Sequence, residues 1–314
     1  MNSDNAQPRM MSRFQRYWQA AIPHCATEDC HLTNRIWRRV SSWHPGIRLW
    51  GRLFCGPQCF EKAARQTFEK LLANPIQSEP VRHRIPLGLL MLSRGHLTQS
   101  QLQFALEAQA HDQRFRLGEW FEKLGFATEQ QVTSALGLQW ACPVLPDGAA
   151  RDLECTRLLP YRLLDTFHML PLQFVQSTGM FYFAFSDGIN YPAMYAVEQM
   201  LNCRTDGCLI SHTAMKAALE EIGGHRERQD LLFEGWRDAA EMARISTGYI
   251  TRLEIDEVRI ISVGPYIWVR LQKRAEQANL LFRRPEVAAI EDDGQILPMP
   301  QWAPVKVPRA FADN

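Results

Sequence analysis

Apolar and polar positions change their period several times along the chain. Over residues 58–72, Phe60, Ala64, Phe68 and Leu72 recur at four-residue steps, which predicts a helix with one buried stripe. Between residues 86 and 139 the pattern is helical and doubled, because 86–109 aligns with 116–139 at a period of 30. Leu87/Leu117, Gly88/Gly118, Gly95/Gly125, Thr98/Thr128, Gln101/Gln131, Ala105/Ala135, Leu106/Leu136 and Gln109/Gln139 are identical pairs. In each unit a short helix follows Leu-Gly, a glycine ends it where positive φ is tolerated, and a second helix begins at the threonine. The Thr-x-x-Gln strings form capping boxes that satisfy two otherwise unpaired helix N–H donors. Leu102, Leu106 and Gln109, and likewise Val132, Leu136 and Gln139, then share one helical face. Two units are too few for a solenoid and predict a pair of helical hairpins.

From Pro143 onward strands enter. Runs 169–174 and 180–185 read as a β-hairpin through Gln176-Ser177-Thr178-Gly179. A helix over 193–201, a strand over 207–210 and a helix capped by Ser211 and running to 222 follow. A helix over 236–253 carries Met242, Ile245, Tyr249 and Leu253 on one stripe, and strands over 257–263, 266–271 and 279–283 close the folded part.

Breaks between these patterns divide the 314 residues. Asn74-Pro75-Ile76-Gln77-Ser78-Glu79-Pro80 stops the preceding helix, a polar stretch covers 223–228, and five prolines follow Arg284. The expected organisation is a helical module at 1–73, a linker at 74–84, and duplicated hairpins at 85–140 with an α+β half at 141–222. A small α+β domain at 230–284, with a helix and an antiparallel meander, and a proline-rich tail at 285–314 complete it. The fold class is therefore α+β, multidomain.

Composition narrows the picture. Apolar residues are 46% and charged ones 22%, so the chain buries ordinary cores, and 35 basic against 34 acidic residues exclude a uniformly basic nucleic-acid binder. No apolar run approaches the ~18 residues a bilayer span needs, so membrane insertion is not expected. Residues 1–16 are polar without the apolar core of a secretory signal, which predicts a cytoplasmic protein with reduced cysteines.

Four of the eight cysteines form two close pairs, Cys25/Cys30 and Cys55/Cys59. Zinc takes four soft ligands in a tetrahedron, and two pairs from two turns supply them, so these cysteines are candidate ligands for a structural zinc, with His24 or His31 as substitutes. The string Phe54-Cys55-Gly56-Pro57-Gln58-Cys59 before a helix is similar to half of a treble-clef zinc module. Cys142, Cys155, Cys203 and Cys208 lie among apolar residues and read as small core residues. Residues 1–84 hold thirteen Lys or Arg against six acids, with Trp18, Trp37, Trp43 and Trp50 interleaved. That mixture suits phosphate contact and base stacking, and supports a second reading as a zinc-dependent nucleic-acid-binding regulator. No Gly-x-Ser-x-Gly elbow and no convincing carboxylate pair occurs, and Gly46-Ile47-Arg48-Leu49-Trp50-Gly51-Arg52 lacks the Lys-Ser/Thr ending of a Walker A loop.

The doubled unit, with its Leu-Gly, its turn glycine and its Leu-x-x-x-Leu-x-x-Gln, resembles the N-terminal (GspE N-terminal, or MshEN) domain of type II secretion and type IV pilus assembly ATPases. Leu158-Leu159-Pro160-Tyr161, His168-Met169-Leu170-Pro171-Leu172 and Phe183-Ala184-Phe185-Ser186-Asp187 resemble further landmarks of that family in the same order. The likeness covers about residues 85–222, with Gly188 where proline is common. Residues 230–284 resemble the small domain that follows in those ATPases. Some members bind cyclic di-GMP through the tandem motifs, which implies a site here at Leu87, Gly88, Gln109, Arg116, Leu117, Gly118 and Gln139. The family's arginine stacks on guanine and reaches phosphate, and its glycine allows close backbone approach. Here Pro86 stands in place of the first arginine, with Arg84 nearby, and His96 replaces an aliphatic residue. With no Walker A loop in the sequence, the resemblance implies a non-enzymatic adaptor or regulator that docks to secretion or pilus machinery.

Overall fold

The computed structural model describes residues 25–27, 30, 46–74, 84–148, 152–224, 230–274 and 276–285. Each repeat folds as a helix pair: α2 (Leu87–Ser93) with α3 (Gln99–His111), and α4 (Leu117–Lys123) with α5 (Glu129–Trp140). Gly95 and Gly125 adopt φ of +70° and +68° after the first helix of each pair. Both capping boxes form. The Thr98 N–H donates to Gln101 Oε1 at 2.8 Å and the Thr128 N–H to Gln131 Oε1 at 2.9 Å. Contacts between the repeats are reciprocal, α2 packing on α5 and α3 on α4, as a twofold relation would give. Met91, Leu97, Ala105, Phe121, Val132 and Ala135 form the shared core.

The α+β half follows with α6 (Leu153–Thr156), α7 (Tyr161–Thr166), β3 (Met169–Val175), β4 (Met180–Phe185), α8 (Tyr191–Leu201), β5 (Arg204–Leu209) and α9 (His212–Gly224). β3 and β4 pair antiparallel, β4 and β5 parallel, with α8 as the crossover between the parallel strands. Phe181, Phe183 and Phe185 point to one buried face at every second position, packing with Leu159, Leu163, Met200, Met215 and Ile222. The segment after α5 is bound to this sheet, since the Leu145 N–H donates to Leu209 O at 2.8 Å.

The remaining elements depart from the expected organisation. β1 (Ile47–Leu49) and β2 (Arg52–Phe54) form a tight hairpin with Trp50 at φ +53° and Gly51 at φ +74°, the double positive φ of a two-residue turn. β1 then pairs parallel with β7 (Glu257–Val263). With β8 (Tyr266–Lys273), β9 (Glu276–Arg283) and β6 (Asp230–Phe233) they make one sheet in the order β2-β1-β7-β8-β9-β6. α1 (Pro57–Ala73) buries Phe60, Ala64 and Phe68 against α10 (Ala239–Leu253) and the sheet. The described parts of 1–73 and 230–284 are thus one lobe, where the sequence reading had separated them. Trp236 precedes α10, whose N-cap is Asp238.

β8 is buried from Tyr266 to Leu271 because it is a middle layer. Ile267, Val269 and Leu271 face α1 and α10, while Tyr266 and Trp268 join the core of the α+β half. Trp268 Nε1 donates to Asn279 Oδ1 at 2.9 Å, and Arg270 Nη1 donates to Leu158 O at 2.8 Å across the junction. Burial lowers the Arg270 pKa to about 10, with Arg259 adding to the effect. No helix among the described residues is long and apolar enough to cross a membrane.

Candidate functional site

Two places gather chemistry. In the first, Cys55 leaves β2, Cys59 sits in the first turn of α1, and the Ala26 N–H donates to Leu53 O at 2.8 Å, bringing Cys25 and Cys30 alongside. Sγ separations are 3.4 Å for Cys30–Cys55, 3.6 Å for Cys55–Cys59 and 3.8 Å for Cys59–Cys30. Four thiolates at ~2.3 Å from one zinc stand ~3.8 Å apart at the edges of a tetrahedron, so the donor set fits that metal. All four Sγ atoms lie within 4.8 Å of one another. Burial pushes the Cys55 thiol up, and the adjacent thiols of Cys30, Cys59 and Cys25 add to it. Burial also raises Cys59. Against the same burial, hydrogen bonds from Thr27 and Cys55 bring Cys25 down to about 6. Only a cation lets all four become thiolates together. His24 and His31 lie outside the described residues.

The second place is a cavity of about 250 Å³ between the second repeat and the α+β half. Leu87, Arg116, Leu117 and Gly118 all line it, so four of the seven residues expected at a nucleotide site are brought together. The other three are placed differently. Gly88 is buried beneath Leu102, whose Cδ1 would lie 2.6 Å from an added Cβ. Gly118 meets Val132 Cγ1 at 2.8 Å in the same way, so both glycines serve close helix packing. Gln139 Nε2 donates to Ile85 O at 2.7 Å, and Gln109 Nε2 reaches Phe115 O at a long 3.4 Å. Each glutamine therefore reaches the carbonyl just ahead of the other repeat's Leu-Gly. Arg84 lies over Trp140, 3.2 Å from the ring centre, and is not among the residues that line the cavity. The two repeats are not equivalent at this face: Leu136 lines the cavity, whereas its counterpart Leu106 is exposed.

Arg116 is 69% exposed and its Nη1 lies 3.4 Å from Asp187 Oδ2. Its backbone N–H donates to Glu119 Oε2 at 2.7 Å. His168 Nδ1 is 3.0 Å from the same Asp187 oxygen. That contact raises the His168 pKa above its ordinary value. Burial works to raise Asp187, but His168 and Arg116 outweigh it and hold the carboxyl below the usual range. Burial, with Glu129 and Glu119 nearby, raises Glu122. Glu129 accepts from the Thr213 N–H at 2.7 Å and from Thr213 Oγ1 at 2.9 Å, fixing the start of α9 at the cavity wall.

Sequence reasoning missed Ser186, Asp187, His212 and Thr213 as lining residues. Ser186 and Asp187 appeared only within a landmark of the resemblance, and His212 and Thr213 carry no local signal. Gly188, next to it, holds φ +122° with Trp140 Cζ2 only 2.1 Å from where a Cβ would stand.

No family model and no curated protein matches the chain. Among solved structures it is similar to MshE with cdg, at 26% identity and a TM-score of 0.39, over 44% of this chain and 99% of that one. It is also similar to the N-terminal domain of XpsE in two crystal forms. In one, identity is 16% and the TM-score 0.32 over 46% of this chain and 97% of that one. In the other they are 18% and 0.28 over 47% and 98%.

Proposed function

We propose that this chain is a non-catalytic cytoplasmic adaptor or regulator whose doubled helical unit reads an anionic guanine nucleotide, cyclic di-GMP in the first place, and docks to secretion or pilus assembly machinery. The observation that carries the reading is the mouth of the cavity, where the exposed Arg116 guanidinium stands beside an apolar wall of Leu87, Leu117, Val132 and Leu136. A guanidinium plane stacks on a purine and pairs with phosphate. Guanine also offers N–H donors on its Watson–Crick edge, which Glu119 and Glu122 in the same lining are equipped to accept. At about 250 Å³ the cavity is smaller than the ~300–1,000 Å³ of sites that enclose a drug-sized ligand, so it takes one guanosine half and leaves the other over the open face.

Docking is supported by apolar side chains left exposed on the helical unit, namely Leu89, Phe104, Leu106 and Leu138. A structural zinc at Cys25, Cys30, Cys55 and Cys59 fits as the clasp that holds the segment before the hairpin onto β2 and α1. Calorimetry with cyclic di-GMP tests the nucleotide reading. The wild type is expected to bind. Arg116→Ala removes a charge-assisted contact worth ~1.5–3 kcal/mol, a loss of roughly tenfold to a hundredfold. No heat with the wild type, or equal affinity in the variant, would end it.

A further inference from the structure

Beside the same cavity, His168, Asp187 and His212 come from three separate segments. His168 immediately precedes β3, Asp187 follows β4, and His212 is the first residue of α9. One ligand atom from each lies within 4.8 Å of the other two, and the imidazoles meet edge to face at 5.9 Å. His168 adopts φ +43° as the left-handed residue just past the end of α7, and its Nδ1 lies 3.0 Å from Asp187 Oδ2. The side chain is 45% exposed.

His212 is fixed on both flanks. Ser211 Oγ donates to Asp147 Oδ1 at 2.7 Å, and Thr213 is held by both oxygens of Glu129. These contacts fix the backbone that carries the His212 ring. Ser186, 5% exposed and also lining the cavity, has a buried Oγ with no hydrogen-bond partner among the described residues.

We infer that His168, Asp187 and His212 form a second metal site, for a divalent transition cation such as zinc, with its fourth position open to the cavity beside Ser186. Two imidazoles and one carboxylate are borderline donors suited to zinc, and three protein ligands leave one position for water or for an oxygen of a bound molecule. Donors ~2.0–2.2 Å from a tetrahedral ion stand ~3.3 Å apart. The His168–Asp187 pair is already at 3.0 Å, and the exposed His212 closes the remainder by a side-chain rotation. The cation would take over the charge of Asp187 and release Arg116 toward the cavity mouth. The site does not depend on a nucleotide entering.

Cobalt(II) titration of the full chain, followed in the visible and near ultraviolet, separates the two metal sites. Cobalt at the four cysteines gives sulfur-to-metal charge transfer, whereas cobalt at this site gives d–d absorption without it. One such sulfur-free equivalent is expected in the wild type. His212→Ala and Asp187→Asn should abolish it and leave the thiolate signal and the circular dichroism unchanged. His212 is exposed, so its removal does not threaten folding. No sulfur-free equivalent in the wild type, or one that persists in His212→Ala, overturns the proposal.

Discussion

Phe68→Ala tests whether the helix ahead of the repeats is integral to the C-terminal sheet. Phe68 is fully buried on α1, and its ring meets Phe282 of β9 edge to face at 5.9 Å and 79°. Truncating a buried phenylalanine costs ~3–5 kcal/mol, including the aromatic contact. Against a total of ~5–15 kcal/mol for a folded unit, that is roughly a fifth or more. If α1 and the sheet unfold as one body, the loss appears in strands 200 residues away in sequence. Native-state hydrogen exchange on peptides spanning Tyr266–Lys273 is the assay, because β8 lies at the centre of the sheet. A loss of 3–5 kcal/mol corresponds to exchange faster by roughly a hundredfold to several thousandfold. Unchanged protection of β8 would mean that α1 belongs to an independent module, and the single-lobe description would be wrong.

Four further outcomes are expected. Purified protein should retain one zinc under mild chelation through its thiolates, and Cys55→Ser/Cys59→Ser should lose it; equal thiolate-bound metal in both proteins would refute the ligand assignment. Gly118→Ala should destabilise by ~1–2 kcal/mol in urea melts, since the stiff, β-branched Val132 cannot yield to the new methyl. Gly88→Ala should stay within ~1 kcal/mol of wild type, because the end of Leu102 can swing aside and the helix gains propensity. Gly188→Ala should cost ~2 kcal/mol or more by combining left-handed strain with an overlap on Trp140, and a thermal midpoint equal to wild type would contradict that geometry.

The repeats were legible because their signals are local. Turn glycines, capping boxes and four-residue apolar steps act within one helix, and cysteine pairs must lie close in sequence to chelate from one turn. The hairpin β1–β2 was missed because three-residue strands are too short to show alternation. Its parallel pairing with β7 joins Arg48 to Glu257 and leaves no local trace. Residues 266–271 read as a strand, yet periodicity cannot say which layer covers which face of a doubly buried strand. At the site, Arg116, Leu117 and Gly118 were implied by the family resemblance. Gln109 and Gln139 looked like polar hooks on an apolar face, and their partners proved to be backbone carbonyls of the opposite repeat. Ser186, Asp187, His212 and Thr213 reach the cavity only through the packing of the α+β half onto α5.

The central claim is that the cavity beside Arg116 is a recognition site. Titrating cyclic di-GMP into isotope-labelled full-length protein and mapping the amide shifts tests it most directly. The account predicts saturable shifts concentrated at 116–119, 132–136, 186–187 and 212–213. Shifts confined to the residues before Gly46, or none at a large excess of ligand, would contradict it.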